Sequence, residues 1–102
     1  MADVSFQVGE GRALLPEPDV RFLAELVRAQ ALTMGREMAG SLLGDQLDLA
    51  ASNLDSLREL RLSERQYELV REAIDKVELA RSFTVSPAVR GLARAIREFE
   101  RR

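Results

Sequence analysis

From residue 18 onward, apolar residues recur at spacings of three and four in runs separated by prolines, glycines and serines, and this pattern constrains the fold more than any other feature of the chain. A spacing near 3.6 places such residues along one side of a helix, so each run must bury a stripe against another element. The stripe Leu23, Val27, Ala31, Met34, Met38, Leu42 predicts a long first helix that starts near residue 18, after Pro16-Glu17-Pro18, and stops at Gly44. Asp45 then reads as the N-cap of a second helix burying Leu47, Ala50, Leu54 and Leu57. Ser63-Glu64-Arg65-Gln66 fits a capping box and opens a third helix with Tyr67, Val70, Ile74 and Val77 inward, running to about Ser82. Ser86-Pro87 opens a fourth, whose stripe is Val89, Leu92, Ala93, Ile96 and Phe99.

Before the helices, Val4, Phe6 and Val8 alternate with Ser5 and Gln7 at the period of a strand, and Gly9-Glu10-Gly11 reads as a turn. The expected fold is therefore mainly all-α, an antiparallel four-helix bundle (residues 18–102) carrying a short N-terminal β-hairpin or extended arm (residues 1–17), as one domain overall. A lone hairpin is marginal in water, so the arm must pack on its own helices or pair with another chain.

At 102 residues with 46% hydrophobic content, there is material for one core. Domains of this size are modestly stable, and burial against a copy is a natural supplement, so we expect a homo-oligomer. The chain has no cysteine and no histidine. This removes disulfides, thiolate chemistry, the commonest general base and the commonest metal ligand. Gly9-Glu10-Gly11 lacks the lysine and helix start of a phosphate loop, and no cofactor, metal site or small-molecule substrate is indicated. We expect no enzyme. No apolar run reaches the ~20 residues that span a bilayer, and the first residues do not have the form of a secretion signal, so the expected compartment is the cytoplasm.

Charge is uneven. Residues 1–80 carry nine basic against fifteen acidic residues, while residues 81–102 carry six basic against two acidic. Arg90, Arg94, Arg97 and Arg101 line one side of the fourth helix and could lie along a phosphate backbone. The competing reading is a solvated face that also complements the helix dipole. Glu64, Glu68 and Glu72 on the third helix are candidate partners for those arginines, which would then not be free for phosphate. The stretch Leu79 to Arg90 is arranged loosely like a helix-turn-helix, with the arginine-bearing helix in the recognition position, although the acidic body fits a nucleic-acid binder poorly.

Small residues Ala31, Gly35 and Ala39, followed by Gly40 and Gly44, allow a close helix-helix approach, within the chain or between copies. The expectation is thus a non-enzymatic protein-protein interaction module, a regulator, adaptor or small assembly subunit that binds itself, another protein or both. Its contact candidates are the four arginines, the arm residues Val4, Phe6 and Val8, and the helix-contact residues Ala31, Gly35 and Ala39. The alternative is a DNA- or RNA-binding regulator that uses the fourth helix.

Overall fold

The computed structural model describes residues 3–52, 59–80 and 85–101. Among them the order is β1 (Val4–Val8), β2 (Gly11–Leu15), α1 (Glu17–Thr33), α2 (Glu37–Ser52), β3 (Glu59–Leu60), α3 (Glu64–Ala80) and α4 (Pro87–Glu100). The chain is mainly helical, with a small three-stranded sheet.

The sheet begins where the alternation predicts it. Gly9 takes φ +60°, the left-handed value that the first central residue of a two-residue hairpin turn requires, and β1 and β2 pair antiparallel with Val8 opposite Gly11 and Phe6 opposite Ala13. The sequence reading stopped at this pair, but a third strand is present. Glu59 and Leu60 pair parallel with Ser5 and Phe6, giving a mixed sheet in the order β2-β1-β3. Two residues carry too little period to be read as a strand, and their partner lies more than fifty positions away. The arm is also integral to the core: Val4 and Phe6 are fully buried.

The helix boundaries correct the expected division of residues 18–52. The first helix ends at Thr33 rather than at Gly44, because Gly35 adopts φ +70°. The Arg36 N–H donates to the Ala31 carbonyl at 2.8 Å and the Gly35 N–H to the Leu32 carbonyl at 3.3 Å, the two bonds of a Schellman stop. Gly44 lies inside α2, buried, where an added Cβ would stand 2.7 to 2.8 Å from the Arg28 side chain. Asp45 is therefore not an N-cap; it sits mid-helix and accepts from Arg28 at 2.9 Å. Of the second helix's expected core residues, Leu47 is buried and Ala50 partly so, while Leu54 and Leu57 lie outside the described residues.

Two predicted starts hold in detail. At α3 the Gln66 N–H donates to Ser63 Oγ at 3.2 Å and the Ser63 N–H to Gln66 Oε1 at 3.0 Å, a reciprocal capping box. At α4 Ser86 Oγ accepts from the Val89 N–H at 3.2 Å and itself donates to Asp19 Oδ2 at 3.1 Å, tying the fourth helix to the first turn of the first. The end of α3 expected near Ser82 falls outside the described residues.

Packing follows the stripes. α1 and α2 form a close antiparallel pair, α3 packs on α1, and α4 packs on α3 and against β2. One continuous core joins sheet and helices, with Phe6, Leu15, Leu23, Leu43, Leu47, Ile74, Leu92 and Ile96 fully enclosed. The Tyr67 hydroxyl donates to the Gln7 carbonyl at 2.6 Å, fastening α3 to the sheet.

Candidate protein-interaction surface

The Ala31 methyl stands at a close approach between α1 and α2. An ideal Cβ built on Gly40 would stand 2.2 Å from the Ala31 Cβ and 3.2 Å from the Val27 carbonyl oxygen, so only glycine fits there. The small residues are thus used inside the chain: Ala31 is buried in this contact, Gly35 forms the turn, and Ala39 is exposed on α2. Close approach places α2 on the outside of the pair, with Gly40, Leu43, Gly44, Leu47 and Ala51 inward.

On the opposite side of α2 stands a second apolar stripe. Met38, Leu42 and Leu49 are 80%, 62% and 73% exposed. At about 100° per residue these three lie within roughly 40° of one another, and about 180° from the packed face. Leu32, which precedes the α1–α2 turn at the same end as Met38, is 60% exposed. Met38 and Leu42 were expected in the core; ending α1 at Gly35 re-phases them onto a new helix and turns them outward. Leu49 was not singled out by sequence reasoning. Its signal was present, since Leu42-Leu43 and Leu47-Leu49 supply two apolar faces within residues 37–52, where a helix covered on one side needs one.

Carboxylates border this stripe. Arg28, largely covered, donates to Asp45 Oδ1 at 2.9 Å and Asp48 Oδ2 at 2.7 Å, and to Glu25 Oε1 at 3.2 Å. Hydrogen bonds to Asp45 and then Asp48 raise the Arg28 pKa above its ordinary value, so the guanidinium stays charged. One cation is shared among three carboxylates; Glu37, exposed at the α2 N-terminus, stands about 120° round the helix from the stripe. No lysine or arginine occurs between residues 37 and 52. Arg36, at the turn, pairs with Glu72 on α3 at 3.2 Å.

The arginines of α4 are divided. Arg97 pairs with Asp75, and Arg90 approaches Glu78 at 3.9 Å. Asp75 also accepts from Arg71 at 3.1 Å, and Arg71 reaches Glu100 at 2.7 Å, a network across the α3–α4 seam. Burial lowers the Arg71 pKa, but the bonds to Glu100 and Asp75 outweigh it and the net shift is upward. The acidic partners of the α4 arginines are therefore Asp75 and Glu78, not the expected Glu64, Glu68 and Glu72; Glu64 and Glu68 line a cleft with Phe99 and Glu100 at the end of α4. Glu72 faces Arg36 instead. Arg94 and Arg101 are exposed with no ion pair among the described residues. The turn of the loosely matched helix-turn-helix, residues 81–84, falls outside them, as does Arg102.

Val4, Phe6 and Val8, expected at an interface, are at most 5% exposed and belong to the chain's own core. Their alternation could not say which body would cover them; β3 and the helices do so. Two open clefts flank α3. One of about 460 Å³ is lined by Arg36, Ala39, Arg65, Gln66, Glu68 and Leu69. Another of about 500 Å³ is lined by Glu64, Tyr67, Glu68, Phe99 and Glu100. Among the described residues no group of three or more potential ligands is placed to hold a metal ion, and no helix is long and apolar enough to cross a membrane. No protein-family model, curated protein or solved structure matches the chain.

Proposed function

We propose that the protein is a non-enzymatic protein-protein interaction module, a regulator, adaptor or small assembly subunit, whose working surface is the outer face of α2. The observation that carries this reading is the stripe Met38, Leu42, Leu49, diametrically opposite the face α2 already buries. A helix with two apolar faces suits a position between two layers, and α1 supplies one of them. Burying a leucine or methionine that now stands in water is favourable by about 1.5–3 kcal/mol, and methionine adapts readily to a partner's shape. The antiparallel four-helix arrangement belongs to the same reading, supported by α1 touching each of the other three helices. Homo-oligomerisation is one way to cover the stripe, and a different protein is the other.

Site-specific photocrosslinking tests this in cells of the source. A crosslinking residue at Ser41, beside the stripe, should give discrete adducts, whereas one at Glu98 on the exposed side of α4 should not. Absent adducts at Ser41, or the same adducts from both positions, would refute the assignment, and adduct mass separates a copy from another protein.

A nucleic-acid-binding regulator is the second reading, favoured by Arg94 and Arg101 standing exposed without ion pairs among the described residues. Charge reversal at Arg90 and Arg94 should then abolish binding and flatten its salt dependence. Retained binding would end that reading.

A further inference from the structure

Resting on the interaction reading above, the geometry points to the kind of partner: we infer that the outer face of α2 receives a basic amphipathic helix of another protein. Met38 to Leu49 spans twelve residues, and the eleven rises between them make about 16 Å of helix, which a partner helix of three to four turns covers from end to end.

Charge selects the occupant. On the side facing α1, among the described residues, the stripe is bordered by Asp45 and Asp48 of α2 and by Glu25, which share the guanidinium of Arg28, while Arg36 and Arg65 stand with Ala39 on the other flank. Glu25 and Asp45 have side chains 78% and 71% exposed, so their oxygens have open approaches beyond the one bond each makes to Arg28. Asp45 lies within the stripe itself, between Leu42 and Leu49 along the helix. A second copy docked antiparallel on this face would set Met38 against Leu49 of its mate, which is apolar on apolar. It would also bring the two Asp45 carboxylates to within about one turn of each other, with no cation from either α2 between them. The chain's own basic amphipathic helix, α4, cannot serve a second copy, since its apolar stripe is buried and two of its arginines are engaged with α3. A partner helix with leucine-like anchors and with lysine or arginine along the edge toward α1 fills the apolar line and answers the three carboxylates there together.

The test uses two fluorescent 15-residue synthetic helices, one of leucine and lysine and one of leucine and glutamate, titrated with the full chain and followed by anisotropy. Leu42→Asn with Leu49→Asn keeps the charge and alters exposed side chains only; Glu25→Gln with Asp45→Asn keeps the stripe and removes two charges. Circular dichroism confirms that each variant folds. The lysine peptide should bind, the glutamate peptide should not, the Asn pair at 42 and 49 should weaken binding at least about tenfold, and the charge pair should weaken it several-fold and flatten its salt dependence. Equal binding of the lysine peptide to the wild type and the Asn pair would overturn the inference as mere charge adsorption, and an unchanged Kd in the charge pair would overturn the selection by charge. Light scattering separates the two levels. A wild-type dimer that becomes monomeric in the Asn pair, with no peptide bound, assigns the stripe to a second copy and overturns this inference while the interaction reading stands. A monomer that binds neither peptide and gives no adducts from Ser41 removes both.

Discussion

Substituting Gly40 by alanine tests the close contact between α1 and α2 at Ala31. The new methyl would stand 2.2 Å from the Ala31 Cβ, against the 3.5–4.0 Å at which carbon atoms pack, so the helices must part locally by about 1.5 Å. The neighbour on the other side is the Val27 backbone carbonyl, 3.2 Å away, which cannot rotate aside as a long side chain can. Overpacking of this kind costs about 1–3 kcal/mol, and a contact at backbone level belongs near the top of that range. Replacing a helical glycine by alanine returns about 1 kcal/mol of helix propensity. The expected net loss is therefore about 1–2 kcal/mol, or a fall in Tm of roughly 5–15 °C for a chain of this length.

Gly91 in α4 is the internal control, because an added Cβ there meets nothing within 4 Å. Gly91→Ala should raise Tm by a few degrees through the same propensity. Both variants are read by thermal and urea melts at 222 nm. Adding Ala31→Gly to the Gly40 variant removes the opposing methyl and should recover part of the loss, so that the two changes are non-additive. If Gly40→Ala is as stable as Gly91→Ala, or if Ala31→Gly fails to rescue it, the close approach is wrong, and with it the outward setting of Met38 and Leu42.

Tyr67, the one tyrosine, can be titrated alone by ultraviolet absorbance, and its burial should move the transition from 10 up to about 12, with a backbone hydrogen bond at Leu62 opposing the shift. Because the folded pKa lies above the unfolded one, this group's contribution to stability is complete below pH 10 and declines between 10 and about 12, by up to about 3 kcal/mol; Tyr67→Phe should reduce that alkaline loss. A transition near 10 in the folded protein would refute the burial of α3 on the sheet. Gly35→Ala should cost about 1–2 kcal/mol, since φ there is +70° although space is open, and an unchanged urea midpoint would argue against the Schellman stop. Ser86→Ala loses both the cap of α4 and the bond to Asp19, for about 1–2 kcal/mol in the same melts, and a neutral result would place the start of α4 elsewhere.

What the sequence determined alone was local: the strand period of Val4, Phe6 and Val8, the turn at Gly9, the capping box at Ser63, the Ser-Pro start of α4 and the core stripes of α3 and α4. Each rests on interactions within a few residues, where chemistry and spacing suffice. The site was barely legible. Gly35 and Gly44 are equally glycine to a reader of the sequence, and only tertiary packing decided between them, since Gly44 is consumed by the contact with Arg28 while Gly35 is left to take a left-handed turn. That choice re-phased Met38 and Leu42 from core to surface and created the stripe. The pairing of Arg97 with Asp75, and of β1 with β3, likewise depends on residues far apart in the chain. Periodicity states how much apolar surface an element must bury; which neighbour arrives to bury it, and which face is left over, is set by how the elements pack.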